Sequence, residues 1–152
     1  MTQVNIGENV TSFKNIETDE MVATIPLGYK EVAESFFSEF PPTYDEIDRA
    51  INVTEEALET IKDVFNDFYE ISTRDQYANK VATLAFNTLK NSEGIAVPAV
   101  EVENVFTRFA NIVKGLPMSQ DVIPDDNYFA AYLLIIREIT HHLHFERVVF
   151  ID

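Results

Sequence analysis

The predicted fold class rests on residues 41–71, PPTYDEIDRAINVTEEALETIKDVFNDFYEI. Thr43 is followed three residues later by Glu46, which is the spacing of a capping box at a helix N-terminus. Thr54 precedes two glutamates and predicts a second helix start, because carboxylates are favoured in the first turn. Apolar residues then recur at 3.6-residue spacing: Ala57, Leu58, Ile61, Val64, Phe65 and Phe68. The stretch therefore predicts two successive amphipathic helices.

Helical spacing also dominates the sequence on both sides of this stretch. Apolar stripes predict further helices over residues 29–40, 73–94, 97–117 and 127–144. The last of these begins after Asp125 or Asp126, either of which can cap it. It is apolar on every side through Ile136, so its first half is expected to be the most buried element.

Two short β-branched segments, residues 21–27 and 147–151, predict strands. Residues 1–18 are polar and without periodicity, and we interpret them as a flexible N-terminal arm before a single domain over residues 19–152. The predicted fold is mainly α (α+β), with five to six helices and a small terminal sheet formed by the two strands. An all-α bundle is the alternative.

Composition and charge restrict the classes of partner. The 152 residues are 46% hydrophobic, which is too apolar for a disordered chain despite a net charge of −15. That charge disfavours binding to nucleic acid and to anionic membranes, because both need clustered Lys and Arg. It favours a basic or otherwise complementary protein partner, and we also expect a homo-oligomer.

Several kinds of chemistry have no signature in the chain. Cysteine is absent, so disulfides, thiolate metal sites and cysteine nucleophiles are excluded. The four glycines form no phosphate-binding motif, and no serine lies in a nucleophile elbow. The N-terminus lacks the features of a signal peptide, which together with the missing cysteine predicts a cytoplasmic protein.

All three histidines lie in the last sixteen residues, REITHHLHFERVVFID. Glu138 precedes His141 by three and His142 by four positions, so a helix would place the three side chains on one face. Glu138, His141 and His142 are therefore candidate metal ligands, although no second motif supplies the other half of a di-iron site. The favoured interpretation is a helix end, where cations are stabilised by unpaired carbonyls, and no other cofactor is predicted. Proton transfer and a pH sensor are further alternatives.

The negative charge is concentrated in one half of the chain. Residues 39–79 hold eleven acids against three bases, a net charge of −8. On a helix these acids would form a solvated face or a docking surface for a basic partner. The candidate partner-binding residues are Glu55, Glu59, Asp63, Asp67 and Glu70.

The leading hypothesis from sequence is a non-enzymatic, acidic, cytoplasmic binding or adaptor protein. Its type would be that of immunity proteins, inhibitors or assembly chaperones, which engage a partner through an acidic helical face. One alternative is a metal-binding protein or metal-dependent enzyme that uses Glu138, His141 and His142. Another is a small-ligand sensor with an aromatic pocket, since the chain contains twelve Phe and six Tyr.

Overall fold

The computed structural model describes residues 1–66, 68–117 and 121–152. The strands are β1 (Thr2–Ile6), β2 (Thr11–Asn15), β3 (Met21–Ile25), β4 (Glu70–Thr73), β5 (Leu89–Lys90), β6 (Ile95–Pro98) and β7 (Arg147–Phe150). Within the described residues, these seven strands form one sheet in the order β3-β2-β1-β4-β7-β6-β5. The protein is therefore built around a central sheet.

The sheet is mixed, with parallel strands at its centre. β1 is parallel to β4, and β4 is parallel to β7, with Val4 opposite Thr73 and Ile71 opposite Val148. All other neighbouring pairs are antiparallel. Because β1, β4 and β7 run in the same direction, their carboxyl ends lie at one edge of the sheet.

The helices pack around α5. They are α1 (Tyr29–Phe36), α2 (Tyr44–Glu59), a 3-10 helix (Lys62–Phe65), α3 (Gln76–Leu84), α4 (Ala99–Val113) and α5 (Asn127–His142). α5 contacts each of the other four α-helices and also β1. Every residue from Phe129 to Ile136 is buried, which confirms the expected burial of this helix. In the described ranges, no helix is long and apolar enough to cross a membrane.

The first two strands show why one sheet face belongs to the core. In β1, Thr2, Val4 and Ile6 are buried while Asn5 between them is exposed, which is the alternation of a strand with one solvated face. Phe13 of β2 is buried on the core side, where its ring lies 4.9 Å from that of Phe65, measured between centroids.

The predicted mainly α fold is wrong, and so is the alternative of an all-α bundle. Residues 1–18, predicted as a flexible arm, contain β1 and β2 at the sheet. The segments predicted as strands do form β3 and β7, but β2, β1 and β4 lie between them, so they do not pair. The strands are five residues long or shorter, and such short segments carry little periodicity of their own.

Local predictions had mixed outcomes. The capping box of Thr43 and Glu46 is present at the start of α2, which confirms that prediction. Thr54 does not start a second helix: it is buried inside α2, where its hydroxyl donates to Ala50 O at 2.8 Å. The helix predicted over residues 73–94 is shorter than expected: α3 ends at Leu84, and Leu89 is exposed in β5.

Candidate functional site

The carboxyl ends of the three parallel strands define the first candidate site. β1 ends at Ile6, β4 at Thr73 and β7 at Phe150. Open α/β sheets bind ligands in the crevice outside the carboxyl ends of their strands, where connecting loops leave room between elements. The β1–β2 turn and the loop that joins β4 to α3 lie at this edge.

The β1–β2 turn is hydrogen-bonded to the N-terminus of α1. The first three N–H groups of α1, from residues 29–31, donate to the carbonyl oxygens of Gly7 and Glu8 at 3.0–3.1 Å. A Cβ atom at Gly28 would lie 2.3 Å from Gly7 O, so glycine is required for this close approach. Free N–H groups at a helix N-terminus favour anions, but these three already have protein partners.

Asp75 connects β1, α3 and α5 at the same edge. Its carboxylate accepts hydrogen bonds from Asn5 Nδ2 at 2.7 Å, from Ile6 N–H at 2.9 Å and from Tyr132 O–H at 2.8 Å. A carboxylate has about four acceptor positions, so protein donors fill most of them. Burial, and secondarily the charge of Asp75, raises the pKa of the Tyr132 phenol well above its ordinary value.

A cleft of about 410 Å³ lies beside Asp75. Tyrosine rings line part of it: those of Tyr29 and Tyr77 meet edge to face at 5.2 Å between centroids, and those of Tyr77 and Tyr132 lie 5.4 Å apart. Burial raises the pKa of the Tyr77 phenol. Glu8 and Asp75 add carboxylates to the lining. The cleft thus combines aromatic surface with oxygen atoms that could bind a cation.

A second candidate site lies between α2 and α5. Glu55 of α2 meets Glu138 and His142 of α5, and one donor atom from each lies within 4.8 Å of the other two. His142 Nε2 is 2.7 Å from Glu55 Oε2 and 3.4 Å from Glu138 Oε1. Among the residues described, these three form a group of carboxylate and imidazole donors that could hold a metal ion.

Glu138 is the most unusual member of this group. It is 0% exposed, and its Oε2 forms an ion pair with Arg137, which also binds Glu103 through two hydrogen bonds. Its Oε1 has no hydrogen-bond partner in the described part of the chain. Burial raises the pKa of Glu138, whereas the hydrogen bond with His142 lowers the pKa of Glu55.

The three predicted metal ligands are only partly brought together. Glu138 and His142 are one helical turn apart and face each other, as their spacing predicts. His141 is exposed and lies outside the donor group, in which Glu55 takes the third position. Whether this set binds a metal stays a prediction.

The predicted partner-binding acids do not share one helix. Glu55 and Glu59 are on α2, Asp63 is in the 3-10 helix, and Glu70 begins β4. Glu59 pairs with Lys62 at 2.5 Å, and the half-buried Glu70 pairs with Arg147 at 3.4 Å. Asp67, the fifth predicted residue, lies outside the described residues. Their role in binding a partner stays a prediction.

Two site residues were missed from the sequence. The sequence pattern places Asp75 only within a helix, although it lies two residues after the short segment that forms β4. Glu55 is predicted only as a partner-binding acid and not as a metal ligand, because nothing near it in the sequence indicates that α5 packs against that side. Both acquire their partners from segments at least 57 residues away.

The fold resembles that of Ppx/GppA-type proteins. No protein-family model matches the chain, and no curated protein matches it. The solved structure of the Aquifex aeolicus PPX-GPPA enzyme matches with a TM-score of 0.74 at 17% identity, over 99% of this chain and 52% of that one. An exopolyphosphatase-like protein matches with a TM-score of 0.73 at 13% identity, over 99% of this chain and 55% of that one.

An exopolyphosphatase from Cytophaga hutchinsonii also matches, with a TM-score of 0.69 at 10% identity, over 99% of this chain and 52% of that one. The chain therefore spans about half the length of these structures. At such low identity, the likeness establishes a Ppx/GppA-like α/β fold.

This fold overturns the interpretation of the chain as a non-enzymatic helical adaptor for protein–protein interaction. That interpretation assumed an acidic helical face on a helical domain, and the central sheet removes the assumption. The structures that share the fold are described as enzymes, an exopolyphosphatase among them. In a fold of this kind, the carboxyl ends of the parallel strands are a better candidate site than an acidic helical face.

Proposed function

We propose that this protein binds a short inorganic polyphosphate, together with a divalent cation, in the cleft beside Asp75. The observation that carries the proposal is the position of the cleft, at the carboxyl ends of the parallel strands β1 and β4. This is where open α/β sheets bind their ligands. The exopolyphosphatase among the structural neighbours supports a phosphate chain as the ligand class.

The need for a cation is inferred from the charges that line the cleft. Glu8 and Asp75 are carboxylates, of which Glu8 is paired with Lys30 at 3.4 Å, and the protein as a whole carries a net charge of −15, so a free polyphosphate would be repelled. The N–H groups of residues 29–31 are already bonded to the turn and are not offered to the anion. Mg²⁺ commonly bridges one or two carboxylates to substrate phosphates, and this would convert the repulsion into binding.

The proposal is tested by calorimetric titration of the protein with sodium tripolyphosphate, with and without MgCl₂. We expect binding only when Mg²⁺ is present. The variant Glu8→Gln removes an exposed carboxylate from the β1–β2 turn, and we expect the affinity to fall by about tenfold, or about 1.4 kcal/mol. Phosphate release, followed in the same samples, then reports whether the bound chain is hydrolysed.

Glu20→Gln is the matched control. Glu20 is an exposed glutamate in the β2–β3 turn, at the opposite end of β2, and its substitution makes the same change in net charge. We expect its tripolyphosphate affinity to equal that of the unmodified protein. No binding in the presence of Mg²⁺, or equal losses in both variants, would contradict a specific site in the cleft.

Three expectations from the sequence stay predictions. A basic protein partner and a homo-oligomer are addressed by measuring the molar mass in solution, alone and with candidate partners. The cytoplasmic location is also a prediction, and fractionation of the source cells tests it. The proposed cleft does not depend on any of them.

A further inference from the structure

The group of Glu55, Glu138 and His142 is separate from the polyphosphate cleft and is built from two helices. Glu55 comes from the last part of α2, and the other two come from the last turns of α5. Glu138 and His142 are four residues apart, so α5 presents both on one side. None of the three residues lines the cleft beside Asp75.

The unpaired oxygen of Glu138 points to a missing ligand. Buried polar atoms are nearly always hydrogen-bonded, and a buried acceptor without a partner is destabilising. Glu138 Oε1 has no such bond among the described residues, and it lies 3.4 Å from His142 Nε2. The oxygen is thus fully buried and directed into the group.

We propose that Glu55, Glu138 and His142 bind one divalent transition-metal ion of the Zn²⁺ type, which links α2 to α5. The donor set contains two carboxylate oxygens and one imidazole nitrogen, which are accepted ligands of Zn²⁺. Three protein ligands leave a fourth position for water in tetrahedral coordination. The charge of the ion is balanced by the two carboxylates.

The distances between the three ligand atoms require only a small adjustment to fit a tetrahedral Zn²⁺ ion. Ligand atoms around a tetrahedral Zn²⁺ at about 2.0–2.1 Å lie about 3.3 Å from one another. The 3.4 Å between Glu138 and His142 already fits, and the 2.7 Å between Glu55 and His142 has to lengthen by roughly half an ångström. The side chains of Glu55 and His142 are 38% and 30% exposed, so they have room to move.

The surroundings hold the ligands and leave a route to solvent. Arg137 binds Oε2 of Glu138, which leaves Oε1 for the ion, and Arg137 is itself held by Glu103. Residues that hydrogen-bond to a metal ligand without contacting the metal orient that ligand and raise the metal affinity. On the other side, the partly exposed side chains of Glu55 and His142 leave the group open to solvent.

The test is a titration of chelator-treated protein with ZnCl₂, followed by calorimetry and by thermal unfolding. We expect one Zn²⁺ per chain and an unfolding midpoint that rises with the Zn²⁺ concentration, because an ion that binds the folded state stabilises it. Glu55→Gln and His142→Gln each remove a half-exposed ligand, and we expect each to weaken binding by about tenfold or more. Co²⁺ in place of Zn²⁺ should give the absorption bands of a tetrahedral ion.

Two neighbouring residues provide matched controls. His141→Gln and Glu56→Gln make the same chemical changes at exposed positions outside the donor group, and we expect both to bind Zn²⁺ like the unmodified protein. The proposal is overturned if Zn²⁺ does not bind, or if His141→Gln weakens binding as much as His142→Gln. It is also overturned if Glu55→Gln retains full affinity, since the group would then be a hydrogen-bonded pair without a metal.

Discussion

The carboxyl group of Asp75, which bonds to α5, and that of Glu138, which belongs to α5, differ in their hydrogen bonding. Asp75 is half-buried and accepts three hydrogen bonds, one of them from Tyr132 of α5. Glu138 is fully buried, yet among the described residues its Oε1 has no hydrogen-bond partner. Burial without partners is unfavourable by about 1–3 kcal/mol. The comparison indicates that protein donors satisfy most of the Asp75 carboxylate, whereas Glu138 retains one unpaired acceptor oxygen, as the proposed metal site requires.

The largest expected effect is that of Asp75→Ala. The substitution leaves Ile6 N–H, Tyr132 O–H and the Asn5 amide without their acceptor, so we expect the free energy of unfolding to fall by about 3 kcal/mol. Urea denaturation monitored by circular dichroism measures this free energy of unfolding. A loss below about 1 kcal/mol would mean that the three donors find other partners, and that Asp75 does not hold this edge together.

Tyr132→Phe separates the phenol from the rest of the Asp75 network. The ring still fills its buried position, and Asp75 keeps the bonds from Asn5 and Ile6, so we expect a loss of about 1 kcal/mol. The same denaturation experiment compares it with Asp75→Ala. Equal losses in the two variants would show that the bond to α5 alone accounts for the stabilisation by Asp75.

Glu138→Gln tests how much the buried carboxyl group of Glu138 contributes to stability. In metal-free protein, we expect the free energy of unfolding to change by less than about 1 kcal/mol, because burial already disfavours the charged form that the amide replaces. Arg137 keeps Glu103 as its partner. A loss of about 3 kcal/mol or more would indicate that the buried ion pair with Arg137 is essential to the fold.

The smallest expected effect is a dependence on pH. Burial raises the pKa of Glu138 above its ordinary 4.5, so the folded state holds this proton more tightly than the unfolded state does. The stabilisation is fully present below pH 4.5 and is lost as the pH rises through the folded pKa.

Glu138→Gln is the reference for this measurement, since the amide does not titrate. In metal-free samples, we expect the free energy of unfolding of the unmodified protein, relative to the variant, to fall as the pH increases above 4.5. A difference that rises with pH would show that Arg137, not burial, dominates the environment of Glu138.

Part of the fold was predictable because its signals are local. A hydroxyl and a carboxylate three residues apart are sufficient to predict the start of α2, and the Asp126 side chain caps α5 by accepting from Tyr128 N–H at 2.8 Å. The sheet was missed for the opposite reason. Residues 70–73 and 95–98 are four-residue strands whose apolar positions also fit the helical stripes next to them.

The candidate sites also contain contacts that local sequence predicts and contacts that it does not. Glu138 and His142 lie on the same side of one helix because they are four residues apart, and the sequence predicts this contact. The choice of Glu55 over His141 as the third member does not follow, because it depends on which side of α5 packs against α2. Asp75 likewise becomes a site residue only when β4 lies beside β1.

The sequence by itself determined the capped starts of α2 and α5, the burial of α5 and the absence of thiol chemistry, since each depends on residue types within a few positions of one another. The tertiary structure decided the sheet and both candidate sites. A short strand gains its backbone hydrogen bonds only from another segment, as Ile71 does from the strand that contains Val148. The hydrogen bond of Glu55 with His142 spans 87 residues, and no local pattern encodes such a contact.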